Sequence, residues 1–248
     1  MSFRMRFFLI IFVVLILAAC TAKEKPTLKI GMTMGYPPFS SEIDGAYVGM
    51  SVDLAHKIAE KLEQPYEIIP MEFDNLIPGI VSGKIDFAIS SISITEERSR
   101  QIEFSQGYFM VDQAVIAKKD SPIVINNSNE IGDYKIGVTS GTTAHQWIQD
   151  NLLTKNLLPV DRLFIYPSIS EAFADLIKGE IDLAINDAVI VQGYEEKLPI
   201  TTKYLIETDE SYGIAMHIDG KQNQKIKAAL QDLLDSGEMK SIIQTHIK

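Results

Sequence analysis

The sequence predicts an α/β protein built as two similar lobes. Short apolar runs alternate with helically spaced segments, and one pattern of such runs occurs twice in the same order. Leu28-Lys29-Ile30-Gly31-Met32-Thr33-Met34-Gly35 is echoed by Tyr134-Lys135-Ile136-Gly137-Val138-Thr139-Ser140-Gly141. Gly83-Lys84-Ile85-Asp86-Phe87-Ala88-Ile89 is echoed by Gly179-Glu180-Ile181-Asp182-Leu183-Ala184-Ile185. The offsets are 106 and 96 residues, so the unit is a doubled architecture rather than a short solenoid repeat.

Taken in order, Leu28–Met32 is a candidate strand followed by the turn-rich Gly35-Tyr36-Pro37-Pro38-Phe39. Gly45–Gly49 is a short return strand. Met50–Leu62 carries Val52, Ala55, Ile58, Ala59 and Leu62 at helical spacing. Tyr66–Pro70 is a further strand, and Asp74 is expected to cap a helix that runs to about Val81 and ends at Gly83. Phe109–Ala117 is apolar and extended, whereas Lys118–Asn129 is polar and turn-prone. Near the end, Tyr212–Met216 is strand-like. Asn223–Leu234 places Ile226, Ala229, Leu230 and Leu233 on one helical face, and Met239–Ile247 is a last helix. Strand–helix alternation implies parallel sheets with right-handed crossovers, each aiming its strand ends at the other lobe. A cleft between the lobes, holding a small polar molecule, is the consequence.

Composition narrows the function. The 248-residue chain is 46% hydrophobic with a formal charge of −10, and its basic residues form no block outside the N-terminus, which argues against nucleic acid as a partner. The single cysteine, Cys20, excludes an internal disulfide and a cysteine metal cluster. The histidines lack metal-ligand spacing, and no cofactor is implied. Arg4 and Arg6 precede the apolar run Phe7–Leu17, eleven residues against the ~20 that span a bilayer. Leu17-Ala18-Ala19-Cys20 then resembles a bacterial lipobox. Residues 1–19 are therefore expected to be a signal peptide, Cys20 the lipidated first residue of the mature chain, and 20–26 a tether. A plain secretory signal with an incidental cysteine is the alternative.

The richest stretch is Ser90-Ser91-Ile92-Ser93-Ile94-Thr95-Glu96-Glu97-Arg98. Its serines follow a buried strand, at the carboxyl end where open α/β sheets hold ligands. Thr95 is an N-cap with acidic first-turn residues after it, and Arg98 offers a planar fork suited to a carboxylate. The other reading of Arg98 is a surface arginine paired with Glu96 or Glu97. In the second lobe the equivalent strand aims Asn186 and Asp187.

With these residues in hand, the chain resembles the solute-binding proteins of bacterial amino-acid ABC importers, the periplasmic-binding-protein type II fold. The resemblance covers nearly everything after Cys20. It rests on Tyr36-Pro37-Pro38-Phe39, Gly49-Met50-Ser51-Val52-Asp53-Leu54, Leu76-Ile77-Pro78-Gly79, Ser93-Ile94-Thr95-x-x-Arg98, Phe104-Ser105, Gly141-Thr142-Thr143 and Asp187. It implies a discontinuous first lobe, 27–111 plus 209–248, and a second lobe, 112–208, joined by two hinge strands. It implies that Arg98 binds the ligand α-carboxylate with backbone amides near Ser93 and Thr143. Thr143 also opens an expected helix, Ala144–Leu152, whose N-terminal amides favour an anion. Asp187 would accept from the α-ammonium with help from Ser91 and Ser93. Ser90 and Thr142 complete the ligand-binding set, and Tyr36 and Phe73 match aromatic rings that sandwich the ligand side chain. Core packing is the alternative for those two rings.

The resemblance also implies an extracytoplasmic, lipid-anchored monomer that delivers its amino acid to ABC permease subunits. Relatives that bind basic amino acids place acids at Thr33 and often Ser40. Hydroxyls there lead us to expect a polar uncharged ligand first and a basic one second, through Glu42, Asp44 or Glu72. The glutamine-binding pattern fits imperfectly too, because Thr139 stands where it has a lysine. Two other classes compete with transport: a secreted dehydratase on the same fold, which needs a general acid such as Glu42, Glu72 or His145 in the cleft, and a sensory ligand-binding protein.

Overall fold

A computed structural model describes residues 25–247. The apolar run Phe7–Leu17 and Cys20 lie outside the described residues, so the leader and lipidation expectations have no structural counterpart. Among the described residues, no helix is long and apolar enough to cross a membrane.

The first lobe opens with β1 (Leu28–Met32), the hairpin β2 (Ser41–Ile43) and β3 (Ala46–Val48), and helix α1 (Met50–Leu62). Helix α1 buries Met50, Leu54, Ala55, Ile58, Ala59 and Leu62, the face its apolar spacing dictates. Complete burial of Leu54 or Ile58 contributes about 1.5–3 kcal/mol each. Strand β4 (Tyr66–Pro70), helix α2 (Leu76–Val81) and β5 (Phe87–Ser93) follow. Asp74 is not a cap. It sits inside a 3-10 turn, Phe73–Asn75, that winds directly into α2, so no side chain is needed to start the helix. Thr95 does cap α3 (Glu96–Ser99), its hydroxyl accepting from the Arg98 N–H at 3.2 Å.

Strands β6 (Ile102–Phe104) and β7 (Phe109–Lys118) lead to the second lobe: β8 (Ile136–Thr139), α4 (Thr143–Ile148), β9 (Leu163–Tyr166), α5 (Ile169–Lys178), β10 (Leu183–Asp187) and α6 (Ala188–Glu195). The long β11 (Ile200–His217) returns the chain to the first lobe, which α7 (Asn223–Asp235) and α8 (Glu238–His246) complete.

All strands but the hairpin join one sheet, ordered β4-β1-β5-β11-β7-β10-β8-β9, with β6 also on β11. The trios β4-β1-β5 and β10-β8-β9 are parallel, as strand–helix alternation predicts. The sheet as a whole is mixed, because β11 runs antiparallel to β5 and β7, and β7 antiparallel to β10. Only the two crossing strands depart from parallel order: a chain that leaves a lobe and returns must traverse the sheet in both directions. Their pairing breaks register between Thr202 and Tyr204 and again between Ile206 and Glu210.

Candidate functional site

The carboxyl ends of β5 and β10 meet in a small cavity between the lobes, lined by Tyr36, Phe73, Ser90, Ser91, Ser93, Arg98, Thr142, Thr143, Ala144, Asn186, Asp187 and Ile190. All nine side chains that the sequence marks as ligand-binding are among these residues. A wider groove adjoins it and shares Phe73, Arg98, Thr142 and Thr143.

Arg98 is buried at 8% exposure. Its Nη1 donates to the Ser93 carbonyl at 2.7 Å and its Nη2 to the Gly141 carbonyl of the opposite lobe at 2.9 Å. The guanidinium carbon stands 5.4 Å from the centre of the Phe73 ring, a cation–π contact that adds to its orientation. A guanidinium carries five N–H donors, so three remain for a carboxylate. The surface pairing considered for Arg98 does not occur; Glu96 pairs with Arg100 instead, at 2.7 Å.

The serines differ in role. The Ser90 hydroxyl accepts from the Thr33 N–H at 2.9 Å, tying β5 to the end of β1. Ser91 has the left-handed φ of +52°, and its buried Oγ has no partner among the described residues. Ser91 thus combines a left-handed backbone with an unpaired buried hydroxyl at the cavity wall. The Tyr36 hydroxyl is likewise buried and unpartnered. In the second lobe, Thr142 is the cap of α4: its hydroxyl accepts from the His145 N–H and donates to the Thr139 carbonyl at 2.8 Å. Thr143 therefore begins the helix proper, one residue earlier than expected.

Asp187 faces Arg98 across the cavity. Burial pushes its carboxyl up to about 7, against the pull of the hydrogen bond donated by the Tyr212 hydroxyl; nearby Glu210 raises it further and Arg98 draws it down. Tyr212 is fully buried, flanked edge-on by Phe39 and face-on by Phe109 with ring centres 5.3 and 5.8 Å away. The turn motif Tyr36-Pro37-Pro38-Phe39 thus serves the site twice, through Tyr36 in the wall and through Phe39 behind the tyrosine that holds Asp187.

Two residues that bond to the cavity lining escape the sequence reading. Tyr212 belongs to a segment legible only as a strand. Glu210, two residues earlier on β11, accepts from the Thr143 hydroxyl at 2.7 Å and from Gln113 Nε2 at 3.1 Å. No local pattern distinguishes it from the neighbouring Glu207 and Asp209. Thr33 and Ser40 are both buried, but neither lines the cavity; the Ser40 hydroxyl donates to the Thr33 carbonyl at 2.6 Å.

Known proteins share the fold and the sequence pattern of this chain. Residues 28–248 match the model of the bacterial extracellular solute-binding proteins, family 3. The ABC transporter arginine-binding protein 1 of Escherichia coli (strain K12) is 31% identical over 232 residues, 90% of each chain. An ancestral arginine-binding protein bound to arginine superposes with a TM-score of 0.81 at 31% identity, covering 90% of this chain and 99% of that one. A structure of an ancestral arginine-binding protein bound to glutamine gives 0.78 at 32% identity over 90% of this chain and 98% of that one. All three are named for binding arginine, and one structure holds glutamine instead. This chain belongs to the bacterial extracellular solute-binding proteins of family 3.

Proposed function

We propose that this protein captures a free amino acid between its lobes outside the cytoplasm and delivers it to an ABC permease, with cationic amino acids preferred. The observation that carries the reading is a buried guanidinium and a half-buried carboxylate, Arg98 and Asp187, supplied by opposite lobes to one small cavity. A zwitterion satisfies both at once, so ligand and closure stabilise each other. Tyr36 and Phe73 would hold the side chain. Burial pushes the Tyr36 hydroxyl up against the pull of nearby Thr139, and the charge of Asp187 adds to the rise. Of the three acids considered for a cationic side chain, Glu72 is the one we favour, because it directly precedes the cavity-lining Phe73 whereas Glu42 and Asp44 lie exposed on the β2–β3 hairpin. Relatives named as binding arginine, lysine or histidine support a cationic ligand for this chain.

The remaining parts of the reading are the lobe boundaries at 111/112 and 208/209, a monomer, and a lipid anchor on Cys20. Binding rather than catalysis is supported by the scattering of the candidate acids: Glu42 lies exposed on β2, Glu72 is exposed at the head of the 3-10 turn, and His145 lines the outer groove. Calorimetric titration tests the core of the proposal. Arginine or lysine should bind more tightly than glutamine, and Glu72→Gln should reduce that preference; turnover of a prephenate-like acid, or indifference to all amino acids, would overturn it. For the anchor, Cys20→Ser in a bacterial host should block lipid labelling, and a normally processed, lipid-labelled variant would refute it.

A further inference from the structure

Glu210 is placed at the second register break of β11, with hydrogen bonds that fix its chemistry. Gln113, fully buried on the partner strand β7, donates its Nε2 hydrogens to Thr143 Oγ1 at 2.8 Å and to Glu210 Oε1 at 3.1 Å. Thr143 Oγ1 therefore already accepts, and its one hydrogen goes to Glu210 Oε2 at 2.7 Å. Glu210 acts only as an acceptor, the role of an ionised carboxylate. The Thr143 hydroxyl has no hydrogen left for a ligand carboxylate, so in this arrangement the assistance expected of Thr143 falls to its backbone N–H. Beyond the burial that dominates both anchors, the charge of Glu210 raises the Asp187 carboxyl and steadies the Arg98 cation. Two carboxylates, Asp187 and Glu210, thus bear on the cleft against a single guanidinium.

We propose that Glu210 is a charge-selecting residue: its carboxylate, held behind Thr143 by Gln113, tips the closed cleft toward ligands of net positive charge. A neutral zwitterion balances Arg98 and Asp187 and leaves the Glu210 charge over. A ligand with one extra positive charge offsets it.

This inference rests on the amino-acid reading, and its test separates the two. Arginine and its neutral isostere citrulline are titrated calorimetrically into wild type, Glu210→Gln and Glu210→Asp. The glutamine oxygen can still accept from Thr143, and thermal unfolding checks that the fold is kept. Glu210→Gln should lower the arginine-to-citrulline affinity ratio by roughly tenfold, the order expected when an attraction between unit charges is lost at an effective dielectric of about 20. Glu210→Asp, which keeps the charge, should hold the ratio near that of wild type. Equal loss of both ligands in Glu210→Gln would make Glu210 a structural hinge residue and overturn the proposal while leaving amino-acid binding intact. A wild type that binds neither ligand would remove the amino-acid reading and this inference together.

Discussion

The two lobes solve the same folding problem with the same residues and then diverge at the strand ends. Asp86 and Asp182 are equivalent, since each accepts from the backbone N–H of the lysine on the neighbouring first strand, Lys29 at 2.7 Å and Lys135 at 2.9 Å. Each also donates its own N–H to the carbonyl of that lysine, at 2.8 and 2.9 Å. Gly31 and Gly137 correspond too. A Cβ on Gly31 would collide with Ile85 Cδ1, and one on Gly137 would come 2.5 Å from Ile181 Cδ1. The equivalent strands part at their ends, where β5 runs into serines and Arg98 and β10 into Asn186, Asp187 and α6. A duplicated scaffold supplies position, and the few residues past the last buried strand residue supply charge of opposite sign. That arrangement suits a zwitterion, since neither lobe alone offers both partners.

The comparison is broken most severely by removing the divergent charges. Truncating one partner of a desolvated charged interaction typically costs ~2–5 kcal/mol, roughly thirtyfold to several-thousandfold in affinity. Arg98→Ala and Asp187→Ala should each weaken amino-acid binding by at least the lower figure, with unfolding transitions near wild type. Calorimetry that returned near-native affinity for either variant would end the two-lobe clamp.

The shared scaffold is probed next. Gly31→Ala and Gly137→Ala each place a methyl against a buried isoleucine, and overpacking of this kind costs about 1–3 kcal/mol of stability. Removing the opposing Cδ1 with Ile85→Val or Ile181→Val in the same chain should recover part of each loss. Denaturant melts of the four variants check this, and full tolerance in one lobe alone would show that the repeat is not equivalent there.

The smallest effect sharpens the asymmetry through pH. Asp187, at about 7, must be ionised to accept from an ammonium, whereas Arg98, though lowered by burial, keeps its charge. Affinity should therefore be flat above pH 7 and fall toward tenfold per unit below it, with a proton released on binding at pH 6. Without ligand the sign reverses. The folded state holds this proton more tightly than the ordinary value of 3.8 allows, so its contribution to stability is full below that value and is lost as pH rises through about 7. Titrations at pH 6 in buffers of different ionisation enthalpy measure the proton; no release, or a slope that persists in Asp187→Asn, would contradict the assignment.

What the sequence by itself determined was whatever is written in local burial. The apolar spacing of α1 and α7, the Thr95 cap, the twin glycine-to-aspartate runs and the strand ends that carry Ser90, Ser91 and Asp187 all follow from neighbouring residues. The resemblance added the pairing of Arg98 with Asp187. Only the tertiary structure decided which distant groups converge. The first half of β11 carries Thr201, Thr202 and Glu207–Glu210 with no alternation to announce a strand, and it is one because β7 supplies its hydrogen bonds. Thr142 and Thr143 exchange roles by a single residue, set by which hydroxyl reaches the Thr139 carbonyl. Thr33 and Ser40 stand next to the cavity in sequence yet bond to each other beneath it. Tyr212 meets Asp187 across 25 residues and Glu210 meets Thr143 across 67, contacts that no periodicity encodes because closing the sheet, not the local pattern, brings them together.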